Sequence, residues 1–201
     1  MNIYFKNSNT HKNLNQYIKL YNICFGKNKY KSDYLDWLYN NNPDGKYIGI
    51  DCFDDENLIA QVGGIPREFI FNKKKVNFLI SIMDCVDPKY QGQRLFSKML
   101  VKFEQIAKEL NFDGIIVVAN EAATKSWLRS LKMKNLGPLD VFIGYGKLKS
   151  DKINKNKYNF YTSWNKKKLE WRIKNPSNKT FFQSNNKNKL VFSNTNFFFI
   201  D

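Results

Sequence analysis

The most informative stretch of this chain is residues 84–98, which read DCVDPKYQGQRLFSK. It overlaps the end of the mostly apolar or β-branched segment 76–86, which predicts a β-strand that ends at Asp87-Pro88. Over residues 93–110 apolar side chains recur at helical spacing, so the same stretch also opens a long amphipathic helix. The sequence therefore predicts a strand, a polar turn that contains glycine, and a helix in immediate succession.

The start of this predicted helix is suited to binding an anion. The first backbone N–H groups of a helix have no partner within the helix, and the helix dipole adds partial positive charge at the same end. Such a turn can hold a pyrophosphate, and Lys89, Arg94 and Lys98 add full positive charges. On these grounds alone, an ordinary strand–turn–helix with solvated basic residues is an equal alternative.

The chain up to residue 148 changes several times between helical and strand patterns. Helices are predicted for residues 13–25, for a segment that starts at Ser32 and ends before Asn42, and for Glu121–Leu131. Strands are predicted for Tyr47–Cys52, Leu58–Gly63, Pro66–Phe71, Val76–Val86, Gly114–Ala119 and Val141–Tyr145. This order predicts an α/β fold with a single mixed, mostly antiparallel sheet flanked by helices, in which a right-handed crossover joins the fourth and fifth strands.

The composition excludes several classes of protein. The chain has 201 residues, 42% of them apolar, which is enough for the core of one ordinary domain. Three scattered cysteines and one histidine argue against a disulfide framework, a metal site and histidine-based triads, and a cytoplasmic location is expected. No apolar stretch approaches the roughly 20 residues of a membrane span, and no secretory signal is expected. The formal charge of +15 favours anionic partners, although a biased composition explains it equally well.

The C-terminal part of the chain differs from the rest. Residues 149–164 are polar and rich in Lys and Asn, which predicts a linker. A sequence pattern from the N-terminal part then recurs: Leu35-Asp36-Trp37 with Asn42-Pro43 resembles Leu169-Glu170-Trp171 with Asn175-Pro176. Chance similarity is one explanation of this repeat, and the start of an incomplete second copy is the other. The predicted organisation is a domain over residues 1–148 and a basic extension over residues 149–201.

Residues 86–93 resemble the cofactor-binding motif of the GNAT N-acetyltransferases. In that family a strand ends in Val-x-Pro, and an Arg/Gln-x-x-Gly-x-Gly/Ala turn binds the pyrophosphate of acetyl-CoA. This chain departs from the motif at Arg94, which replaces the main Gly, and at Phe96, which is familiar from one branch of the family. Residues 120–131 resemble the next family motif, and the likeness covers about residues 3–148.

The resemblance implies a sheet that splays between its fourth and fifth strands, where acetyl-CoA inserts as a co-substrate. It also implies that the backbone N–H near Val86 polarises the thioester carbonyl. The residues implied in cofactor binding are Cys85, Val86, Gln91, Gly92, Gln93, Arg94, Leu95, Phe96 and Asn120.

The same resemblance implies direct attack of an amine on the thioester, assisted by a carboxylate that takes the amine proton. Asp84 is the first candidate, because it is expected on the strand face of the polarising residue, and a structural carboxylate is its alternative role. Glu121 is the second candidate, with a dipole-complementing role as its alternative, and Asn120 completes the catalytic set. Cys85 is expected on the opposite face as a small core residue. Trp127 stands where the family often has a tyrosine that protonates the leaving thiolate.

The predicted function is acetyl-CoA-dependent N-acetyl transfer to a primary amine, with an amino sugar as the preferred acceptor. The alternative is a catalytically weakened GNAT-fold protein that binds an acyl-CoA or a polyanion, which the departures at Arg94 and Trp127 motivate. Nucleic acid is not expected as a partner, although aromatic and basic residues alternate in the tail. Whether the chain forms a homodimer is left open.

Overall fold

The structure is a computed structural model that describes residues 2–27, 29–137, 159–178, 180–184 and 189–193. Its helices are α1 (Leu14–Phe25), α2 (Ser32–Tyr39), α3 (Leu95–Glu109), α4 (Glu121–Leu131) and α5 (Lys166–Ile173), with a short 3-10 turn over Pro88–Tyr90. Its strands are β1 (Ile3–Asn7), β2 (Ile48–Asp54), β3 (Asn57–Phe71), β4 (Lys74–Ser81), β5 (Cys85–Val86), β6 (Gly114–Val117), β7 (Phe160–Thr162), β8 (Thr180–Ser184) and β9 (Lys189–Ser193).

Seven of these strands form one sheet. Its order is β1-β2-β3-β4-β6, and the long strand β3 also pairs with β5 and β7. Every described pairing in this sheet is antiparallel except that of β4 with β6, which the α3 crossover makes parallel. The predicted fold class, a mixed and mostly antiparallel sheet flanked by helices, is confirmed. Strands β8 and β9 form a separate hairpin.

The sheet opens beyond the last paired residues of β4 and β6. These two strands pair only where Phe78–Ser81 lies opposite Gly114–Val117. Residues 82–84, with Met83 at φ +57°, then break the strand, and β5 resumes with β3 as its partner among the described strands. The prediction of one continuous strand over 76–86 is therefore wrong in this detail. The predicted separation of strands lies between β5 and β6, which do not pair with each other.

The two faces of the sheet carry separate apolar cores. Helices α1 and α2 supply the first core, in which Tyr17, Leu35 and Tyr39 are fully buried. Helix α3 supplies the second, with Met99 and Phe103 fully buried. The side chains of β5 divide between these cores as alternation along a strand requires, so the short strand is held from both faces.

Strand β3 is longer than predicted, because the predicted strands Leu58–Gly63 and Pro66–Phe71 are one element. The pairing of β3 with β2 ends at Gly64. Pro66 lies beyond that point, so its nitrogen, which has no hydrogen to donate, faces an edge of β3 where β2 requires no hydrogen bond. The Pro66 carbonyl on that edge instead accepts a 3.0 Å bond from Asn42 Nδ2. A proline therefore does not end this strand.

The C-terminal extension packs on the domain in the residues that the structure describes. Strand β7 extends the edge of β3, with Phe69 opposite Thr162 and Phe71 opposite Phe160. The predicted linker over residues 149–164 is therefore wrong at its end, and its part up to residue 158 lies outside the described residues, as does the predicted strand Val141–Tyr145. Strand β1 is an addition to the prediction. Among described residues, no helix is long and apolar enough to cross a bilayer, and no group of acidic, His or Cys side chains could hold a metal ion.

Candidate active site

A cavity of about 240 Å³ lies at the turn between β5 and α3. It is lined by Val86, Tyr90, Gln91, Gly92, Arg94, Leu95, Phe96, Ser97 and Ser126. All of the predicted cofactor-binding residues except Cys85, Gln93 and Asn120 thus come together on one wall. Ser126 is an addition that the sequence does not reveal, because only the packing of α4 on α3 brings it to the turn.

The turn is held in place by Asp87. Its Oδ1 accepts from the Lys89 backbone N–H at 2.9 Å, and its carbonyl accepts from the Tyr90 N–H at 2.8 Å. The Tyr90 hydroxyl donates to Asp54 Oδ2 at 2.8 Å, which ties the turn to the end of β2. Gln91 Nε2 donates to a β5 carbonyl at 3.2 Å. These bonds set the shape of the turn before any ligand enters.

The backbone is left-handed at two positions of the turn, Gly92 at φ +80° and Arg94 at φ +59°. Arg94 is the N-cap of α3, and its carbonyl accepts the first helical bond, from the Lys98 N–H at 3.1 Å. Within the described residues, the N–H groups of 95–97 make no backbone hydrogen bond. They therefore remain available to an anion. The exposed Arg94 side chain lines this site and forms no ion pair with a described carboxylate.

The N–H of Val86 faces the opening of the sheet. The neighbouring Asp87 N–H donates to Ile59 on β3 at 2.8 Å. Successive residues of a strand direct their N–H groups to opposite edges, so the N–H of Val86 points away from β3. The edge it points to is the one where β5 has no strand partner among the described residues. The structure thus sets a hydrogen-bond donor beside the cavity and at the mouth of the gap.

Asp84 lies at the break between β4 and β5, where regular alternation along the strand is lost. Its Oδ1 accepts from the Gly63 N–H at 2.9 Å, and its Oδ2 accepts from the Ser81 hydroxyl. Burial raises the pKa of this carboxyl to about 7, and the bonds from Ser81 and Gly63 counteract part of that rise. These bonds correspond to the structural role expected as the alternative. Asp84 is not among the residues that line the cavity, and its role as a proton acceptor stays a prediction.

The predicted site residues of the next helix play structural parts. Asn120 is the N-cap of α4, with its Oδ1 accepting from the Ala123 N–H at 2.9 Å. The Thr124 hydroxyl donates to the Asn120 carbonyl at 2.8 Å. Glu121 is exposed in the first turn, where a carboxylate complements the helix dipole. Neither Asn120 nor Glu121 lines the cavity.

Trp127 and Cys85 are both core residues. Trp127 is 2% exposed and meets the Phe96 ring edge-on, with ring centroids 6.4 Å apart. Cys85 is buried in the core beneath α1, on the side opposite to the cavity. Cys85 therefore does not line the cavity at the predicted cofactor site.

A known protein family matches the part of the chain that contains the turn and the open part of the sheet. The family model for the acetyltransferase (GNAT) domain matches residues 7–123. The chain belongs to the GNAT acetyltransferase family. The matched region of this GNAT chain runs from the end of β1 to the first turn of α4, so it includes the whole turn and both strands beside the gap.

Solved structures agree with the assignment to the GNAT fold. A protein described as a predicted acetyltransferase from Clostridium acetobutylicum, solved with acetyl-CoA, matches with a TM-score of 0.56 and 15% identity over 70% of this chain and 96% of the other. Glucosamine-6-phosphate N-acetyltransferase from Arabidopsis thaliana matches with a TM-score of 0.54 and 11% identity over 71% and 99%. A conserved Enterococcus faecalis protein matches with a TM-score of 0.54 and 12% identity over 62% of this chain but only 31% of its own. Comparison with curated protein sequences found no match.

Proposed function

We propose that this GNAT protein transfers the acetyl group of acetyl-CoA to a primary amine. The observation that carries the proposal is the position of the Val86 N–H, which faces the gap in the sheet beside the cavity at the start of α3. A donor aimed at the place where negative charge develops on a carbonyl oxygen lowers the barrier to acyl transfer. The C. acetobutylicum protein, which has the same fold, was solved with acetyl-CoA.

The cavity supports binding of the donor through its phosphates. Residues 95–97, whose N–H groups have no backbone partner among the described residues, line the cavity, and Gly92 offers no side chain that would obstruct an approach to the turn. The guanidinium of Arg94 would supply a charged contact where a family member with glycine has only backbone. The pantetheine arm would then lie along the free edge of β5 and carry the thioester to the Val86 N–H.

The reaction needs three events at this place. The amine nitrogen forms a bond to the thioester carbon while the N–H of Val86 stabilises the developing oxyanion. The carbon–sulfur bond then breaks, which leaves an amide and the thiolate of coenzyme A. The nitrogen gives up a proton to Asp84, directly or through water. With a pKa near 7, this carboxyl can accept a proton at neutral pH and release it again.

The acceptor that we propose is an amino group on a sugar. The A. thaliana relative is named for the acetylation of glucosamine-6-phosphate, and it shares the fold over most of its length. A formal charge of +15 suits an acceptor that carries phosphate. Uncharged amino sugars and simple alkyl amines are the comparison substrates.

The proposal is tested in two steps. Titration calorimetry of the purified protein with acetyl-CoA measures donor binding, and we expect a dissociation constant well below 1 mM, the usual upper range for enzyme substrates. Release of free thiol is then measured with amino sugar phosphates, amino sugars and alkyl amines. We expect turnover with the first class, a loss of about 100-fold or more in Asp84→Asn, and little loss in Glu121→Gln. Absence of acetyl-CoA binding would overturn the proposal.

The alternative function is binding of an acyl-CoA without turnover. The burial of Trp127 favours it, because no hydroxyl stands at the place where the family often has a tyrosine to protonate the thiolate. In that case calorimetry would detect donor binding, but no amine would raise thiol release above the rate without enzyme.

A further inference from the structure

The end of the β3–β4 hairpin projects beyond the rest of the sheet. The pairing of β3 with β2 ends at Gly64, and the pairing of β4 with β6 begins only at Phe78. Beyond these points β3 and β4 pair with each other up to their turn, and among the described strands only β7 lies beside them. Asn72 and Lys73 close the hairpin in a tight turn, both left-handed at φ +48° and +66°. The fold therefore holds a three-stranded projection in a defined shape.

Aromatic and basic side chains gather at this projection without being buried in it. The residues of this set, which we call the hairpin tip, are Phe71, Lys73, Lys74, Lys75, Phe160 and Tyr161. The three aromatic side chains are between 39% and 48% exposed, and the three lysines are exposed as well. Clustered apolar surface that stays in contact with water indicates a place where a partner binds.

The hairpin tip is positively charged. Lys75 Nζ lies 3.1 Å from Glu68 Oε2, whereas Lys73 and Lys74 form no ion pair with a carboxylate of the described residues. A further carboxylate on the side of β6, that of Asp113, accepts a 2.7 Å bond from a β4 backbone N–H. The tip itself contains three cations and no acidic side chain, so its charge complements an anionic surface.

The aromatic side chains of the tip lie on both faces of the projection. Phe71 stands directly opposite Phe160 in the register, so these two share one face. Tyr161 is the next residue of β7 and therefore points to the other face. The Phe160 ring stacks on Phe69 with ring centroids 4.7 Å apart, which fixes its position before any partner arrives. A single strand of nucleic acid stacks its bases on a one-sided platform, whereas a lipid layer can surround a projection on both faces.

We infer that the hairpin tip is a docking site for the surface of an anionic lipid bilayer. In the docked state the lysines lie among the headgroups, where each cation strengthens binding by about fivefold. The aromatic rings enter the boundary between headgroups and acyl chains, the depth at which aromatic side chains collect in membrane proteins. The tip lies on the bilayer and does not span it.

Docking at the tip leaves the candidate active site accessible. Strand β4 runs from the turn at the tip toward the gap in the sheet, so the tip and the gap lie at opposite ends of this strand. Its eight residues span about 25 Å at the usual rise of a strand. The inference therefore does not depend on the proposed acetyl transfer, and a failure of one leaves the other to be decided by its own experiment.

The experiment measures co-sedimentation of the full chain with lipid vesicles. The probe vesicles are phosphatidylcholine with about one-third phosphatidylserine, and vesicles of phosphatidylcholine alone are the comparison. We expect the chain to bind the anionic vesicles about tenfold or more tightly than the neutral ones. Binding to the anionic vesicles should weaken as salt is raised, because salt screens the lysines.

One pair of double variants tests whether the lysines of the tip carry this binding. Lys73→Ala combined with Lys74→Ala should weaken binding to the anionic vesicles by about tenfold or more. Lys12→Ala combined with Lys19→Ala removes the same charge from exposed positions outside the tip. This control should change binding by less than about threefold, since only general attraction is reduced. Equal losses in the two double variants would overturn the docking site.

A second pair of variants tests the aromatic contribution. Phe71→Ser should weaken binding to the anionic vesicles by about fivefold or more, whereas Ile23→Ser, which removes a side chain that is 55% exposed on α1, should not. Urea denaturation of every variant checks that it folds.

Two further outcomes would contradict the inference. If the wild-type chain does not sediment with anionic vesicles, the tip is not a membrane-docking site. A single-stranded oligonucleotide, followed by fluorescence anisotropy, is the competing anion. If the chain binds it more tightly than the vesicles, and the change at Lys73 and Lys74 abolishes that binding, the partner of the tip is nucleic acid and the inference is wrong.

Discussion

Trp37 and Trp171 stack face to face and exchange hydrogen bonds. Their ring centroids are 4.4 Å apart with the planes inclined by 9°. Trp37 Nε1 donates to the Trp171 carbonyl at 2.9 Å, and Trp171 Nε1 donates to the Trp37 carbonyl at 3.1 Å, across a separation of 134 residues. Such reciprocal contacts are what a local two-fold relationship produces.

The helices that carry the two tryptophans support the same relationship. Helix α2 and helix α5 each have eight residues, and each is followed by an Asn-Pro turn and a two-stranded hairpin. This pattern agrees with the prediction that the C-terminal extension begins a second copy of the unit that contains α2, which stays a prediction.

The first prediction concerns Trp171. Replacement by Ala removes a buried ring and the hydrogen bond that Trp171 Nε1 donates to the Trp37 carbonyl, while the backbone carbonyl at position 171 that accepts from Trp37 Nε1 remains. We expect the free energy of unfolding to fall by about 3–5 kcal/mol in urea denaturation. Trp164→Ala is the matched control, because that ring is 55% exposed and should change stability by less than about 0.5 kcal/mol. Equal effects of the two substitutions would contradict the role of the tryptophan pair.

The second prediction concerns a buried lysine. Lys168 Nζ lies 2.8 Å from Asp44 Oδ1 and 3.4 Å from Glu68 Oε1, and its side chain is 5% exposed. Lys168→Met should cost about 3–5 kcal/mol, because Asp44 loses its closest cation and keeps only Arg67 at 3.9 Å, while Glu68 keeps only the exposed Lys75. Lys166→Met breaks only the exposed pair with Glu170 and should cost less than about 1 kcal/mol. A Lys168→Met protein as stable as the Lys166→Met protein would show that solvent reaches this cluster.

The third prediction concerns pH. The folded-state pKa of Asp84 lies at about 7, above its ordinary value of 3.8, so the folded protein holds this proton more tightly than the unfolded chain. The contribution of Asp84 to stability is therefore full below about pH 4 and is lost as the pH rises through 7. Thiol release should follow the ionised fraction and rise to a plateau above pH 7. Asp84→Asn should remove the pH dependence that Asp84 gives to stability and to turnover. If the pH profile of turnover is instead unchanged in this variant, another group accepts the proton.

The fourth prediction concerns Arg94. If its guanidinium contacts the donor phosphates, Arg94→Ala and Arg94→Gly should both weaken acetyl-CoA binding by about tenfold or more in calorimetry. Only Arg94→Gly relieves the left-handed backbone, so it should be more stable than Arg94→Ala by about 1 kcal/mol. Tighter binding of acetyl-CoA by Arg94→Gly than by the wild type would show that the arginine obstructs the turn.

The fifth prediction separates packing from chemistry at Trp127. Trp127→Phe keeps an apolar ring against Phe96 but removes the indole N–H. We expect the thiol-release rate to stay within about twofold while stability falls by about 1–3 kcal/mol. A large loss of turnover with unchanged stability would instead indicate that the indole contacts the reacting groups.

The sequence predicts well the helices and turns whose determining residues lie within a few positions of one another. Helix Glu121–Leu131 has the predicted bounds, because Asn120 caps it through a bond to a residue three positions away. The anion-binding turn after β5 is likewise local, since Asp87, Gly92 and the helix start are neighbours in the chain. Strand β7 carries no such signal. Phe160–Thr162 is extended only because the edge of β3 is there to receive it.

The sequence by itself determined the fold class and the motif at residues 86–93, because hydrophobic periodicity, caps and turn residues act over single helical turns or strand repeats. Only the tertiary structure decided that Asp84 sits at a strand break with a raised pKa and that Trp171 stacks on Trp37. Each of these depends on the packing of distant segments. A side chain's type does not specify which distant neighbour will exclude water from it.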